Sequence, residues 1–495
     1  MKASRRDFLK LAGGALAAAA VARPALLLAR PEVFPSASNP ALHFLNRITY
    51  GARPDELERA RQIGIEAYLD EQLNPASIDD SALDAMIARD VPIINMNRRD
   101  ANRLENNTYR TYMALTEAMV LRAVHSKRQL FERMVEFWTD HFNIPSDELG
   151  PDLIPMHNDV IRKHALGNFR DLLIGTAQSP VMLTYLDNYL NVAEHPNENY
   201  AREIMELHSL GVDGGYTETD VKEVARAFTG WGIHNGTETG FYFDASVHDT
   251  GEKIVLGHTL PADRGIEDGL QVLSILVNHP STATYLCYKL CRRFVSDQPP
   301  QSLVDSAAAV WIANRGEIVP VLRHIFLSAE FYQTAGQKLR RPLDFFIGAL
   351  RATGTSFRNF WTMEAPLQDL AQVPYGWHPP DGYPDVSGAW INSGGLLARW
   401  NVAMLLTHSA YSEQDTGMNT LLHTRIGEPR TVGELVDAVS VQVFGVTLPE
   451  GERAPFIDFA SEGAGAEAEV TPYLRAQKLG TLYGLMLASP LYQWR

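Results

Sequence analysis

Cysteine is almost absent: Cys287 and Cys291 are the only two in 495 residues, which excludes a disulfide framework. Four residues apart in helical sequence, they face the same way, a spacing that strains a disulfide. They read as buried free thiols, and two sulfurs alone make no zinc site. Positive charge is also short, with 44 Lys and Arg against 59 Asp and Glu and a net charge of −15. Polyanionic nucleic acid is thereby excluded as a partner. No stretch approaches the roughly 18 uninterrupted apolar residues of a membrane span. Also missing in usable context are GxSxG, HExxH, Walker, GxGxxG, CxxCH and EF-hand patterns, which disfavours common serine hydrolases, zincins, nucleotide binders and c-type haem proteins.

What is present begins at the N-terminus. Ser4-Arg5-Arg6-Asp7-Phe8-Leu9-Lys10 has the twin-arginine export pattern, followed by the weakly apolar LAGGALAAAAVA and the small-residue triplet Ala20-Val21-Ala22. The expectation is a signal peptide over residues 1–22, cleaved to leave a periplasmic or secreted protein with no membrane anchor. Its removal takes away Lys2, Arg5, Arg6 and Lys10 together with Asp7, four cations against one anion, so the charge moves from −15 to −18. An acidic exported surface suits divalent cations, neutral glycans or plain solubility. The route carries folded proteins, often with a cofactor inserted, so a divalent metal stands as a candidate cofactor.

The body of the chain reads as mainly α, a large multi-helix, bundle-like domain over residues 40–495. Pro54-Asp55-Glu56-Leu57 opens one helix, Ser126-Lys127-Arg128-Gln129 is read as a capping box opening another, and Thr217-Glu218-Thr219-Asp220 opens a third. FYFDASVHDTGEKIVLG, residues 241–257, is an exception that predicts a β-hairpin about Asp249-Thr250-Gly251 inside an insertion at about 236–262. Residues 373–395, VPYGWHPPDGYPDVSGAWINSGG, are too irregular for a helix and too aromatic for a linker, and predict a long ordered loop.

Four segments, VEFWTDHFNI, HPNENYAREIMELHSLGVDGGYTETDVKEVARAFTGW, HDTGEKIVLG and PYGWHPPDGYPDVSGAWINSGGLLARW, together resemble the bacterial family called domain of unknown function 1800. The resemblance runs from about Leu42 to the final LASPLYQWR. Asp140 and His378 stand where that family often carries asparagine and proline. It implies an exported, mostly helical protein, and, as a partner, an exported protein of the neighbouring domain of unknown function 1501 family.

The stretch 195–220 concentrates ionisable groups. On a helix from Glu198, the residues Glu198, Asn199, Arg202, Glu203, Glu206 and Ser209 share an arc of about 140°, opposite Tyr200, Ala201, Ile204 and Leu207. Glu198–Arg202 and Arg202–Glu206 have the i,i+4 spacing of a solvated ion-pair ladder. His208 instead projects to the apolar side, where an imidazole is either a core-edge hydrogen-bonding group or a ligand or proton carrier. His141 has the same position on the helix of Phe131, Met134, Val135, Trp138 and Phe142, with Glu132, Glu136 and Asp140 pointing away. Were the two helices packed face to face, His141 and His208 would meet near the 211–215 turn. Asp213 there is either a cap or a third metal ligand.

The aromatic loop gathers Tyr375, Trp377, His378, Asp381, Tyr383, Asp385 and Trp390. Rigid aromatic faces beside acids suit a glycan site, and glycoside cleavage needs two carboxyls about 5–5.5 Å apart for retention or about 6.5–9.5 Å for inversion. Glu203, Glu206, Asp381 and Asp385 are the candidate acids, with Trp377, His378, Tyr383, Trp390, Arg202 and Asn199 as binding residues and His141, His208 and Asp213 as metal ligands. The opposing reading makes the tryptophans core anchors and the aspartates turn caps. His248-Asp249 is a further pair with either metal or turn chemistry. Three functions stay open: a hydrolase acting on a glycan or envelope polymer, a non-catalytic partner or maturation factor for another exported protein, and a metal-binding protein without hydrolytic activity.

Overall fold

Helix starts follow capping chemistry at most places the sequence marks. Pro54 occupies the first turn of Pro54–Ile63. Thr217 accepts from the Asp220 amide while the Asp220 carboxylate accepts from the Thr217 amide, a reciprocal box opening Glu218–Ala227. Ser126 behaves otherwise: its Oγ accepts from the Arg128 amide at 2.9 Å and donates to Asp80, the helix begins only at Gln129, and Gln129 donates its side-chain amide to the carbonyls of Ala123 and Ser126. The expected capping box gives way because Gln129 is buried and its amide is needed inside the turn.

The computed structural model describes residues 34, 38–145, 150–234, 240–408 and 418–495. The expected signal segment, residues 1–22, lies outside them, as do residues 235–239 of the predicted insertion. The architecture is mainly α, with three small antiparallel strand pairs among the described residues. No helix there is long and apolar enough to cross a membrane. The chain divides into two compact units: a central one of Glu66–Phe331 with Val373–Tyr383, and a terminal one comprising the chain up to Ile65, Tyr332–Gln372 and Pro384–Arg495.

In the central unit the helices that position the site are α1 (Asn107–His125), α2 (Gln129–His141), α3 (Glu198–Glu206), α4 (Glu218–Ala227), α5 (Glu267–Asn278) and α6 (Pro280–Phe294). Of the apolar stripe predicted for α2, Met134, Val135, Trp138 and Phe142 are buried, whereas Phe131 is half-buried, its ring beneath the Arg162 guanidinium. The acids of α2 do not point to solvent as expected. Glu132 is buried in a two-bond pair with Arg162 (2.7 and 2.8 Å), and Glu136 in a pair with Arg293 at 2.6 Å. Because α2 is enclosed on both faces, its polar stripe is satisfied by arginines rather than water. The thiols of Cys287 and Cys291 on α6 are buried and unbonded to each other.

The β excursion exists, with other partners than its sequence predicts. Strand β1 (Trp231–Ile233) pairs with β2 (Phe241–Phe243), and β3 (Lys253–Val255) with β4 (His258–Leu260). The second hairpin turns at Leu256 and Gly257, both at positive φ (50° and 79°), the geometry of a two-residue hairpin turn. Asp249-Thr250-Gly251 therefore lies between the two hairpins: Asp249 accepts from the Gly251 amide and pairs with Arg226 of α4 at 2.7 and 3.0 Å. His248 is buried with Nδ1 2.8 Å from the Thr229 carbonyl. Lys253, fully buried, joins Asp268 of α5 at 2.8 Å and the Asp249 carbonyl. The His248-Asp249 pair is thus spent on tying strands to helices.

The terminal unit is built on α7 (Pro342–Thr353), buried along its whole length, with α8 (Ser393–His408), α9 (Val432–Phe444) and α10 (Leu479–Ala488) around it. A Cβ on Gly484 would come within 2.7 Å of Met404 Sδ, so at this glycine α10 packs directly against the side chains of α8. Buried ions are again paired: Asp344 with Arg495 at 2.8 Å, Arg351 with Glu56 at 2.6 and 2.7 Å.

Removing one member of a buried ion pair leaves the other charge uncompensated, at about 3–5 kcal/mol. Asp268→Ala is expected to lower the unfolding free energy by that order in urea titrations. A loss under about 1 kcal/mol would mean that Lys253 is satisfied by its carbonyl partners alone.

Candidate functional site

The two histidines that the helical wheel sends to the core edge do meet. His141 ends α2 and His208 lies just past α3, their rings 6.0 Å apart. His141 Nε2 lies 3.1 Å from the His208 carbonyl, and the Lys289 ammonium of α6 lies 2.8 Å from His141 Nδ1. An ammonium can only donate, so Nδ1 is the acceptor and Nε2 carries the proton given to the carbonyl. Burial first, then Lys289 and His208, holds His141 neutral, well below the ordinary histidine range. Burial and Lys289 likewise lower the His208 pKa to about 3, and its buried Nε2 has no partner among the described residues.

Three of the four candidate acids lie in the central unit: Glu203 and Glu206 on α3, and Asp381 on the loop segment. Glu203 is half-buried, and desolvation, with the Glu206 and Asp381 carboxylates adding, raises its pKa above the ordinary glutamate value. No hydrogen bond reaches the Glu203 side chain among the described residues. Glu206 accepts from the Tyr216 hydroxyl at 3.2 Å. The ion-pair ladder forms only in its first rung: Arg202 lies 3.4 Å from Glu198, but its two-bond partner is Glu218 at the start of α4, at 2.7 and 2.8 Å. The paired carboxylate of Glu218 offers a planar fork that Glu206, held by Tyr216, does not. Asn199 is exposed in the first turn of α3, its amide capped by Asn197.

The loop segment Val373–Tyr383 is ordered by donors that grip its backbone. Thr116 of α1 donates to the Pro374 carbonyl, Asn143 to those of Trp377 (2.8 Å) and Pro379 (2.7 Å), and Tyr185 to that of His378. Trp377 donates its indole N–H to Asp381 at 2.8 Å and packs against Tyr383, ring centroids 5.0 Å apart, while the Tyr383 hydroxyl closes the loop on the Val373 carbonyl. The His378 and Asp381 residues are exposed. Gly382 has φ +74°, and a Cβ there would collide with the Asp140 carbonyl.

Asp385 and Trp390 belong to the terminal unit. The Asp385 carboxylate lies 3.0 Å from Lys338 and 3.9 Å from Arg341, and Trp390 donates to the Pro384 carbonyl. There Asp385 is an ion-pair partner, and Trp390 braces its own loop. The proposed metal set is not assembled either. Both nitrogens of His141 are engaged, Asp213 is exposed in its turn, and among the described residues no group of three or more His, Cys, Asp or Glu is placed to hold a metal ion.

Sequence reasoning missed Lys289, Tyr285 and Tyr216. The Tyr285 ring lies against Gly211, whose φ of +85° lets the turn pass beneath it, and Lys289 Nζ sits 5.5 Å from the centre of that ring. Burial, then Glu206 and Asp381 with Arg292 opposing, pushes the Tyr285 hydroxyl up to about 12. A tyrosine and a lysine four apart on a helix look like any surface pair in sequence. Only the positive-φ glycine opposite could have hinted at a ring above it.

The described residues are mainly α-helical, and in the central unit the imidazoles of His141 and His208 meet where α2 and α3 end. The chain is a member of the family described as protein of unknown function DUF1800, whose model matches residues 43–494. No curated protein and no solved structure matches it.

His208 is neutral when folded and has a pKa of about 3 against an ordinary 6.5. The unfolded chain therefore binds the extra proton first, and stability present above pH 6.5 is lost as pH falls towards 3. Denaturant titrations across that range are expected to show the loss, and His208→Gln to show a shallower one. Equal slopes would place the acid sensitivity elsewhere. Gly382→Ala is expected to loosen the loop, seen as faster amide exchange over 373–383; unchanged exchange would mean that the loop tolerates the added methyl group.

Proposed function

We propose that this protein is an exported hydrolase that cleaves a glycan or related envelope polymer by carboxylate acid–base chemistry. The observation that carries the reading is Glu203: a half-buried carboxyl whose pKa is raised by desolvation, then by the Glu206 and Asp381 carboxylates with Arg202 opposing, the direction a general acid requires. In this mechanism Glu203 gives its proton to the leaving glycosidic oxygen as the bond to the anomeric carbon breaks. Glu206, steadied by Tyr216, takes a proton from the attacking water, whose oxygen forms the new bond. Trp377, fixed by Asp381, offers an aromatic face for a sugar ring. The twin-arginine pattern at Ser4–Lys10 supports export to the periplasm or beyond.

A second reading draws on the exposed tip of the loop at His378 and Pro379, which would anchor an interface with another exported protein, such as one of the domain of unknown function 1501 family.

Assays of the full chain on a polysaccharide panel decide between them. Glu203→Gln is expected to lower kcat by about 10²–10⁴-fold with folding retained, and Asp381→Asn to weaken activity and shift the alkaline limb of the pH profile downward, since Asp381 helps raise the pKa of Glu203, the group that must be protonated. Cleavage unaffected by Glu203→Gln, or no cleavage of any polymer, sinks the hydrolase reading, and co-purification of a stoichiometric exported partner would then support the second. Replacing Arg5 and Arg6 by lysine is expected to retain the protein in the cytoplasm on fractionation; undiminished export would remove the twin-arginine assignment.

A further inference from the structure

A lysine enclosed by protein must have its charge balanced or lose it. Lys253 on β3 and Asp268 on α5 are closed off from solvent, at 0% and 1% exposure, with Nζ 2.8 Å from Oδ2. The ammonium also donates to the carbonyls of Asp249 and Gly251, and the Asp249 carboxylate lies 3.8 Å away. Helix α4 packs on both β3 and α5 and so holds the two elements that carry the pair. An amine and a carboxyl are thereby kept in contact where water does not reach, which replaces a chance encounter with a fixed geometry.

The two oxygens of the Asp268 carboxyl have different surroundings. Oδ1 is 3.1 Å from the Arg264 guanidinium. Oδ2, which faces Lys253, is 3.5 Å from His248 Nε2. His248 Nδ1 is 2.8 Å from the Thr229 carbonyl, which can only accept. Nδ1 therefore carries a proton, and in the neutral ring Nε2 is the basic nitrogen. That nitrogen is buried, with no hydrogen bond among the described residues.

We propose that Lys253 and Asp268 condense into an intramolecular isopeptide bond. The ammonium first passes a proton to Oδ2 along the existing hydrogen bond, leaving a neutral amine beside a neutral carboxyl. The amine lone pair then forms the bond to Cγ, and the carbonyl π pair moves onto Oδ1, where the Arg264 guanidinium meets the developing oxyanion. His248 Nε2 takes the surplus proton from the new C–N nitrogen and delivers it to the Oδ2 hydroxyl. The Cγ–Oδ2 bond breaks with its electron pair, the π bond to Oδ1 reforms, and water leaves. One ammonium and one carboxylate become one amide and one water, with no oxidant and no co-reactant. The exchange removes two charges from a place where desolvation offsets much of their attraction, and it ties β3 to α5 covalently. The inference does not depend on the hydrolase reading.

The test is a tryptic digest of the denatured full chain, read by mass spectrometry. An acylated Lys253 is not cleaved, so residues 227–264 are expected joined to residues 265–289 in one branched peptide, lighter by one water than the two parts. Lys253→Met and Asp268→Ala are each expected to abolish the branched peptide, and His248→Gln to lower its share in freshly purified protein. Full recovery of the separate peptide 254–264 from the wild type overturns the proposal. So does a loss of water confined to peptide 265–289, which would be a succinimide at Asp268-Gly269. Should the variants fail to fold, the wild-type digest decides.

Discussion

The neutral imidazole of His141 is the joint on which the candidate site depends. It accepts from Lys289 on α6 and donates to the carbonyl of His208 beyond α3, so one side chain sets the spacing of three helices. The hydrogen bonds use both nitrogens and require the uncharged ring, and burial keeps it uncharged. The Tyr285 ring of α6 lies over Gly211 of the 211–215 turn, and Glu203 of α3 is half-buried. An imidazolium at His141 would face an ammonium at 2.8 Å, so the ring is buried and neutral while Lys289 stays partly exposed.

Much of this was legible from residue order. Periodicity of 3.6 put Tyr200, Ala201 and Ile204 inside and sent His208 and His141 to the core side, and all of them are buried. The Thr217–Asp220 box was readable because local backbone chemistry fixes it, whereas the aromatic loop, whose order could be read from its composition, is held by the distant donors Thr116, Asn143 and Tyr185 and gives way to helix at Ser387–Trp390 and from Ser393. What sequence could not supply was the identity of long-range partners. Glu132 and Glu136 sit on the polar side of their helix by any wheel, yet both are enclosed, because Arg162 and Arg293 arrive from elsewhere to neutralise them. Asp385 looked like a twin of Asp381 four residues on, but its carboxylate goes to Lys338 and Arg341 in the terminal unit.

The strand pairing shows the same limit at shorter range. Asp249-Thr250-Gly251 has good turn chemistry and uses it, with Asp249 accepting from the Gly251 amide. The chain reverses into a hairpin instead at Leu256-Gly257, where the register of Lys253–Val255 with His258–Leu260 buries Val255 and Leu260. Burial of alternate side chains outweighed the stronger local turn signal.

The division of the chain has a consequence for biogenesis. Glu66–Phe331 is contiguous and carries most of the central unit, whereas the terminal unit draws on three separated segments, the last reaching Arg495, whose side chain joins Asp344 inside α7. A ribosome therefore delivers nearly all of one unit long before the other can close. Arg495 acts as a latch: until its guanidinium meets Asp344, the terminal unit holds a buried carboxylate with one of its cations still missing.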